Sequence, residues 1–248
     1  IAYPFVRALA GERPQPTWAH FAWRRFIKIV PSYLLSIGVA YAIGYAQTQS
    51  LGVPVGLDVG AHLLFVHAWF PATHGSINGV LWTLSAEIEF YMLFPAIWWC
   101  FRRKPWLTAL GMIAFSLWWR NALASCCHST LLGLWDETLP AYLGLFAIGM
   151  LAAHLYVRRG DVFAATPLRR ALATLSAVAS IIGVLALQHA MYDARFVDLW
   201  SVVWQTDRRP LFGIAFAVLA LASLAAFPAW RSVISNRALA FFATISYT

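Results

Sequence analysis

Residues 81–101 read LWTLSAEIEFYMLFPAIWWCF, an almost continuous apolar run of the length that crosses a bilayer. Only Glu87 and Glu89 bring charge into it. A spanning helix needs about 17–25 mostly apolar residues, whereas a barrel strand needs an alternation of apolar and polar positions that this run lacks. The segment therefore predicts a transmembrane helix with two acidic residues inside it.

The composition places the whole chain in the same class. Of its 248 residues, 61% are hydrophobic and 11% are charged, whereas about 25% are charged in ordinary soluble domains. This balance excludes a water-soluble fold and also a disordered chain, which needs low hydrophobicity. Three cysteines make neither a disulfide framework nor a spaced zinc site, and no metal-binding motif is present. We predict an all-α, polytopic transmembrane helix bundle without a metal ion.

The apolar runs predict about six or seven spans. Besides 81–101, they cover residues 29–46, 106–119, 139–157, 168–190 and 211–227, with an unfinished run from 239. Residues 59–70 are apolar but short, which predicts a re-entrant or half-buried helix, and whether it crosses the membrane stays open. The chain begins without Met and stops inside an apolar run, so we expect a single membrane domain, 1–248, that is incomplete at both ends.

The net charge of +8 is better explained by membrane topology than by nucleic-acid binding. Of the 18 basic residues, 14 fall in segments that the predicted spans place on one side: Arg7, Arg13, Arg24, Arg25, Lys28, Arg102, Arg103, Lys104, Arg158, Arg159, Arg169, Arg170, Arg231 and Arg237. Cytoplasmic loops carry such an excess of Lys and Arg. We therefore predict a multi-pass protein of the plasma (inner) membrane with this side in the cytoplasm.

The acidic residues of the 81–101 run are candidates for function, because a carboxylate at membrane depth costs about 2.5–3.5 kcal/mol. Glu87 and Tyr91 are four residues apart and share a helical face. Glu89 lies about 200° around the helix from Glu87, on the side of Ser85 and Trp82. We predict catalytic roles for Glu87 and Tyr91, and substrate binding by Trp82, Ser85 and Glu89.

The segment from Trp23 to Tyr33 begins with cations. Arg24 and Lys28 are four residues apart, and Arg25 and Lys28 are three apart, so each pair is adjacent on a helix. Such a cluster can bind a phosphate or pyrophosphate, although an anchor at the cytoplasmic membrane edge is an open alternative. We predict that Arg24, Arg25 and Lys28 bind the phosphates of a cofactor-like substrate.

The best candidate for acid–base work among the seven histidines is His67, in the short 59–70 segment. His62 is five residues away, which would put it off the same face of a helix. The sequence has no nucleophile elbow, P-loop or dinucleotide fingerprint.

Two of these segments, in this order, resemble the bacterial acyltransferase-3 family of integral membrane O-acyltransferases. Residues 24–33, RRFIKIVPSY, are similar to its Arg-rich helix start followed by Pro and an aromatic. Residues 82–95, WTLSAEIEFYMLFP, are similar to its Trp-Ser-Leu-Ser-x-Glu-x-x-Phe-Tyr-x-x-x-Pro signature. Residues 139–153 and 245–247 are weaker matches in the same order, so the resemblance runs from about Arg24 to the end.

The resemblance implies transfer of an acyl group, commonly acetyl from acetyl-CoA, to a sugar hydroxyl. The acceptor would belong to a surface polysaccharide, lipopolysaccharide, peptidoglycan or glycosylated small molecule. Acyl-CoA would act as co-substrate, with no permanently bound cofactor, and the partners would be the donor, the glycan or glycolipid acceptor and the bilayer. The family's catalytic histidine lies in a helix before the Arg-rich segment, and no histidine here matches it.

Two departures from the family pattern bear on the site. The family usually has Arg where this chain has Lys28, which keeps the charge but loses the bidentate fork of a guanidinium. The residue after Glu87 is usually a second Glu, whereas here it is Ile88.

Two alternatives remain open at this stage. A transporter or flippase for a polar or glycolipid substrate would explain the composition and the buried acids equally well. A non-catalytic membrane sensor is the weaker alternative. Neither predicts the order of the Arg-rich start and the Trp82 to Pro95 signature.

Overall fold

The computed structural model describes residues 1–48, 53–126, 134–163, 166–194 and 200–246. Most of these residues are helical and none forms a strand, which confirms the all-α prediction. The helices are α1 (Tyr3–Leu9), α2 (Trp18–Thr48), α3 (Val55–Leu63), a 3₁₀ helix (His67–Trp69), α4 (Trp82–Phe101), α5 (Pro105–Cys126), α6 (Leu139–Phe163), α7 (Pro167–Ala194), α8 (Trp200–Ala225), α9 (Pro228–Ile234) and α10 (Arg237–Ser246).

Prolines mark the starts of several helices. Pro105, Pro167 and Pro228 each open one, where the missing N–H would be unpaired in any case. Pro31, Pro95 and Pro210 instead lie inside helices, a placement that long membrane helices tolerate.

Among the residues that the structure describes, four helices are long and apolar enough to cross a membrane: Trp18–Gly44, Leu134–Gly160, Pro167–Asp193 and Arg208–Ala225. They overlap the predicted runs at 29–46, 139–157, 168–190 and 211–227. The runs at 81–101 and 106–119 are helical as α4 and α5, but the predicted total of six or seven spans is not confirmed. The prediction that 14 basic residues lie on one side of the membrane depends on the number of spans, so it stays a prediction.

Residues 59–70 form two short helices instead of the one predicted. α3 ends at Leu63, and the 3₁₀ helix begins at His67. Between them Phe65 has φ +57°, a left-handed conformation that ends helical continuity and costs a non-glycine residue about 1–3 kcal/mol. At about 1.5 Å per residue, α3 is too short to cross a bilayer.

The described residues divide into two compact units. The first unit comprises Thr17–Lys104 and Leu110–Gly144, and the second comprises Ile1–Pro16, Pro105–Ala109 and Leu145–Thr248. The prediction of a single domain is not tested by this division.

The first unit is packed around aromatic side chains. Tyr33, Ile37 and Leu81 form a buried cluster with Phe65 and Ile77 at its edge. Farther along α4, every third or fourth residue contributes a buried aromatic ring, namely Phe90, Phe94, Trp98 and Phe101. This spacing places the rings on one face of α4 and leaves its other faces for the polar residues of the candidate site.

In the second unit, α7 and α8 pack along each other. Their buried residues are small, with Ala177, Ser180, Ala222 and Ala225 among them. Small residues let helix backbones approach closely, which is how helices associate in a bilayer.

Candidate active site

The first turns of α4 carry Ser85 and Glu89 on one face. The Trp69 indole Nε1 donates a hydrogen bond of 2.7 Å to Glu89 Oε1. Ser85 Oγ lies 3.1 Å from the same carboxylate oxygen and is also hydrogen-bonded to the carbonyl oxygen of Phe65. The Trp69 indole thus holds the Glu89 carboxylate next to the 3₁₀ helix, and the single Ser85 hydroxyl proton is shared between Glu89 and the Phe65 carbonyl oxygen.

Glu87 and Tyr91 lie on a different face, as their spacing predicts. The Tyr91 hydroxyl donates a hydrogen bond to Glu87 Oε1. The Arg25 guanidinium carbon lies 5.1 Å from the centre of the Tyr91 ring and 5.6 Å from the centre of the Phe21 ring. The structure therefore joins a predicted phosphate-binding cation to the predicted catalytic pair through the face of a tyrosine ring.

The three predicted phosphate-binding cations differ in exposure. Arg24 is exposed, whereas Arg25 and Lys28 are half-buried. The structure therefore brings Arg25, but not Arg24, against α4. Phosphate binding by these residues stays a prediction.

A buried polar cluster, which we call the histidine cluster, surrounds His67. It consists of Tyr33 and Tyr41 from α2, Asp58 and His62 from α3, His67 from the 3₁₀ helix, and Ser76. Asp58, His62 and His67 are fully buried. The rings of His62 and His67 stack with centroids 4.0 Å apart and planes inclined by 8°, because the break at Phe65 removes the helical offset that the spacing of five predicted.

Hydrogen bonds fix the orientation of each member of the histidine cluster. The Tyr33 hydroxyl donates to the carbonyl oxygen of His62 at 2.9 Å and lies 3.4 Å from His67 Nδ1. Because the Tyr33 hydroxyl donates its only proton to the His62 carbonyl oxygen, the hydroxyl oxygen accepts a hydrogen bond from the Nδ1–H of His67. The neutral His67 ring then carries its lone pair on Nε2, the nitrogen that can accept a proton.

Asp58 binds three donors within the histidine cluster. Tyr41 donates to Oδ2 at 2.8 Å, and Ser76 donates to Oδ1 at 2.6 Å. His62 Nδ1 lies 2.8 Å from the Asp58 backbone oxygen and 3.2 Å from Oδ1. These contacts place the proton of His62 on Nδ1 as well. The two histidines therefore present their Nε2 atoms without a hydrogen bond from any described residue.

Burial makes His67 a neutral imidazole near pH 7. Its pKa is lowered to about 4, chiefly by burial, with smaller contributions from the neighbouring His62 and His74. Asp58 and the Leu81 backbone oppose this shift, although Leu81 makes no hydrogen bond of good geometry with Nε2. His67 is consequently in its proton-accepting form at physiological pH.

Trp82 contacts a second group of residues that the sequence did not single out. Its ring centre lies 5.4 Å from that of Tyr142, and the guanidinium carbon of Arg120 lies 5.9 Å from the centre of the Tyr142 ring. Arg120 Nε is 3.6 Å from Asp136 Oδ1, with side chains only 1% and 5% exposed. A buried ion pair in an apolar protein is by default a functional feature.

Sequence reasoning predicted site roles for His67, Ser85 and Glu89, which stay predictions, and it did not single out Tyr33, Asp58 and His62 as members of the site. The available signal was the pair Asp58 and His62, four residues apart in an apolar segment, which shares one helical face. In the described residues, no group of three or more His, Cys, Asp or Glu side chains is arranged to hold a metal ion.

Comparison with known proteins identifies the class. The family model described as an acyltransferase domain, of the acyltransferase-3 family, matches residues 8–248. The chain therefore belongs to this family and is an acyltransferase. With its four membrane-length apolar helices, this makes it a membrane acyltransferase. A search of curated proteins and a search of solved structures each found no match.

Proposed function

We propose that this protein transfers an acyl group, most simply acetyl, from acyl-CoA to a sugar hydroxyl of a surface glycan or glycolipid, in the plasma (inner) membrane. The observation that carries the proposal is His67, a buried neutral imidazole whose Nδ1 is tied to Tyr33 and whose Nε2 has no described partner. His67 does not match the family's catalytic histidine, so its role as a base is proposed from this geometry alone. Family membership favours this enzyme over the transporter alternative, because the family is one of acyltransferases.

In the proposed reaction, the acceptor hydroxyl oxygen attacks the thioester carbonyl carbon. The hydroxyl proton passes to His67 Nε2, the carbon–sulfur bond breaks, and the CoA thiolate receives the proton from His67. Such general-base assistance contributes about 10²–10⁴-fold to a rate. Tyr33 holds the ring in the tautomer that this step requires.

Arg24, Arg25 and Lys28 are proposed to bind the CoA phosphates from the cytoplasmic side. Arg25 is the most informative of the three, because its guanidinium also packs on Tyr91, the partner of Glu87. Donor binding would thereby be coupled to the orientation of the Glu87 carboxylate. This coupling is a proposal that rests on the cation–ring geometry.

The proposal for His67 is tested with labelled acetyl-CoA and bacterial envelope fractions as acceptor, using the purified full-length protein in lipid nanodiscs. We expect His67→Gln to lower acyl transfer about 10²–10⁴-fold. His20→Gln is the matched control, because His20 lies on α2 and is exposed. Near-normal turnover in His67→Gln would remove His67 from the reaction.

The donor site is tested by steady-state kinetics in the same system. Arg25→Ala should raise the KM for acyl-CoA by about tenfold or more and the acceptor KM much less. Lys28→Arg should be tolerated, and Arg103→Ala, an exposed cation on Trp99, should leave both constants unchanged. Labelling of an introduced cysteine beside Arg24 only from outside the cell would overturn the donor assignment.

A further inference from the structure

Two pairs of aromatic rings, which we call the aromatic cluster, come from the same unit as the buried ion pair of Arg120 and Asp136, and one ring, Tyr142, lies against Arg120. The cluster consists of Trp69, Trp82, Trp119 and Tyr142, all half-buried. The rings of Trp69 and Trp119 meet edge to face with centroids 6.4 Å apart. Trp82 packs on Tyr142, and Tyr142 covers the Arg120 guanidinium. All these residues belong to the first unit.

We propose that the aromatic cluster binds the sugar ring of the acceptor and that it selects a ring without a negative charge. This inference rests on the proposed function, which supplies a sugar as the acceptor, and adds the place and the charge of the ring. Aromatic faces suit the apolar C–H faces of a pyranose, and neighbouring polar groups suit its hydroxyls.

The indole N–H groups argue against a simple role at the membrane surface. A tryptophan that anchors a helix at the interface keeps its polar N–H toward water and headgroups. Here Trp69 Nε1 donates to Glu89 at 2.7 Å, and Trp119 Nε1 lies 3.4 Å from the Trp135 carbonyl oxygen. Both rings are therefore oriented by the protein, while part of each ring stays accessible.

The buried ion pair of Arg120 and Asp136 is costly to form, which indicates that it orients neighbouring side chains. Taking Arg120 and Asp136 out of water is costly, and apolar residues of similar size would often be as stable. The Arg120 guanidinium instead lies against the face of Tyr142. We infer that the pair positions this ring.

The charge around the aromatic cluster sets its selectivity. Glu89, Asp136 and Glu137 are its acidic groups, and Arg120 is its permanent cation. His74 Nε2 lies 2.9 Å from Glu137 Oε2, in a partly exposed pair. Asp136 offsets the charge of Arg120, so a uronic acid or sugar phosphate would find no excess positive charge here. It would also meet the carboxyl group of Glu89 at Trp69, whereas a neutral ring can accept or donate hydrogen bonds there without repulsion.

The position of the cluster fits the proposed reaction. The 3₁₀ helix carries His67 at its start and Trp69 at its end. His67 belongs to the histidine cluster, and Trp69 belongs to the aromatic cluster. One three-residue element thus connects the proposed base to the proposed sugar site.

Binding is tested without the acyl donor, so that the result does not depend on turnover. The quenching of tryptophan fluorescence in nanodiscs is measured with methyl glucoside, methyl N-acetylglucosaminide, glucuronate and glucose 6-phosphate. We expect the two neutral sugars to bind at least tenfold more tightly than the two anions. Trp119→Leu should weaken neutral-sugar binding at least tenfold. Trp106→Leu, at an exposed position of the same helix α5, should leave it unchanged.

The positioning role of the ion pair has its own readout. Asp136→Asn should weaken sugar binding and leave the KM for acyl-CoA within twofold, whereas general misfolding would raise both. Failure of every sugar to bind, equal binding of neutral and anionic sugars, or equal losses in Trp119→Leu and Trp106→Leu would each overturn the inference. Sugar binding in a protein that transfers no acyl group would instead refute the proposed function and leave the site standing.

Discussion

The two compact units bury different kinds of side chain. In the first unit, the described buried residues include Asp58, His62, His67 and Arg120, whereas in the second they are mainly small and apolar, with Ser180 and Ser223 as the polar members. Burying ionisable groups costs free energy unless hydrogen bonds compensate. The difference agrees with the proposed placement of the active site in the first unit, whereas small buried residues let the helices of the second unit pack closely.

The sharpest way to break this comparison is to remove a buried charge from the first unit. Asp58→Ala leaves Tyr41, Ser76 and His62 without their shared acceptor. We expect it to lower the free energy of unfolding by about 3–5 kcal/mol, because a hydrogen bond to a charged group is worth about 1.5–3 kcal/mol and several buried donors lose one. The free energy is measured by denaturant titration of the protein in mixed micelles.

Its control is Ser180→Ala, which removes a buried hydroxyl from α7 in the second unit. This change should cost less than about 1 kcal/mol. Equal losses in the two variants would show that the units do not differ in the energetic importance of their buried polar groups.

The pH dependence of stability tests the same contrast with a smaller effect. The pKa of His67 is lowered from 6.5 to about 4 in the folded protein, so between these values the unfolded chain binds more protons. The contribution of neutral His67 to the free energy of unfolding is therefore fully present above pH 6.5, and it is lost as the pH falls toward 4. Between pH 7.5 and 5, we expect the free energy of unfolding to fall by about 2 kcal/mol through this residue.

Comparison of variants isolates the contribution of His67. His67→Gln should lack this part of the pH dependence, and His20→Gln, at an exposed position, should retain it. The same pH slope in wild type and in His67→Gln would mean that His67 does not titrate abnormally.

A single hydroxyl in the first unit should have a smaller effect. Ser85→Ala removes the contacts of Oγ with Phe65 O and Glu89, which should cost about 1 kcal/mol. Thr83→Ala, on the same helix but exposed, should change stability by less than half as much. Thermal unfolding of both variants, side by side, measures the difference, and a larger loss in Thr83→Ala would contradict the proposed tie between α4 and Phe65.

The smallest effect is expected at a close contact of the second unit. A Cβ at Gly213 would lie 2.6 Å from Leu145 Cδ2 and 3.1 Å from Ile148 Cδ1, both at the flexible ends of side chains. Gly213→Ala should therefore change stability by less than about 1 kcal/mol, since the gain in helix propensity offsets the shift of two side chains.

Gly183→Ala is the reference for that prediction, because no atom lies within 4 Å of its added Cβ. It should be neutral or stabilising by up to about 1 kcal/mol. The difference between the two variants, measured by thermal unfolding, gives the packing cost alone. A loss of several kcal/mol in the free energy of unfolding of Gly213→Ala would show that the side chains around Gly213 cannot move to admit a methyl group.

Much of the fold was predictable, because apolar length and charge decide it. Composition predicted a membrane protein, the length of the apolar runs predicted helices, and the spacing of Glu87, Glu89 and Tyr91 predicted their faces on α4. The pairing of Ser85 with Glu89 also follows from a spacing of four. Local periodicity is sufficient for these features because they lie within one helix.

The histidine cluster was only partly predictable, because it depends on contacts between elements. His67 could be chosen from its place in a short apolar segment, but its stacking on His62 requires the left-handed residue at Phe65. Nothing in the sequence marks a phenylalanine for that conformation. The pairing of Arg120 with Asp136 joins residues from separate segments, which periodicity cannot reveal.

The break at Phe65 has a consequence for how this segment can vary. Leu63 and Leu64 are 51% and 74% exposed, so their side chains can change to other apolar types with little effect on packing. Their number cannot change, because one residue more or fewer would rotate His67 away from His62. The segment between the histidines therefore acts as a spacer of fixed length, tolerant of substitution and intolerant of insertion or deletion.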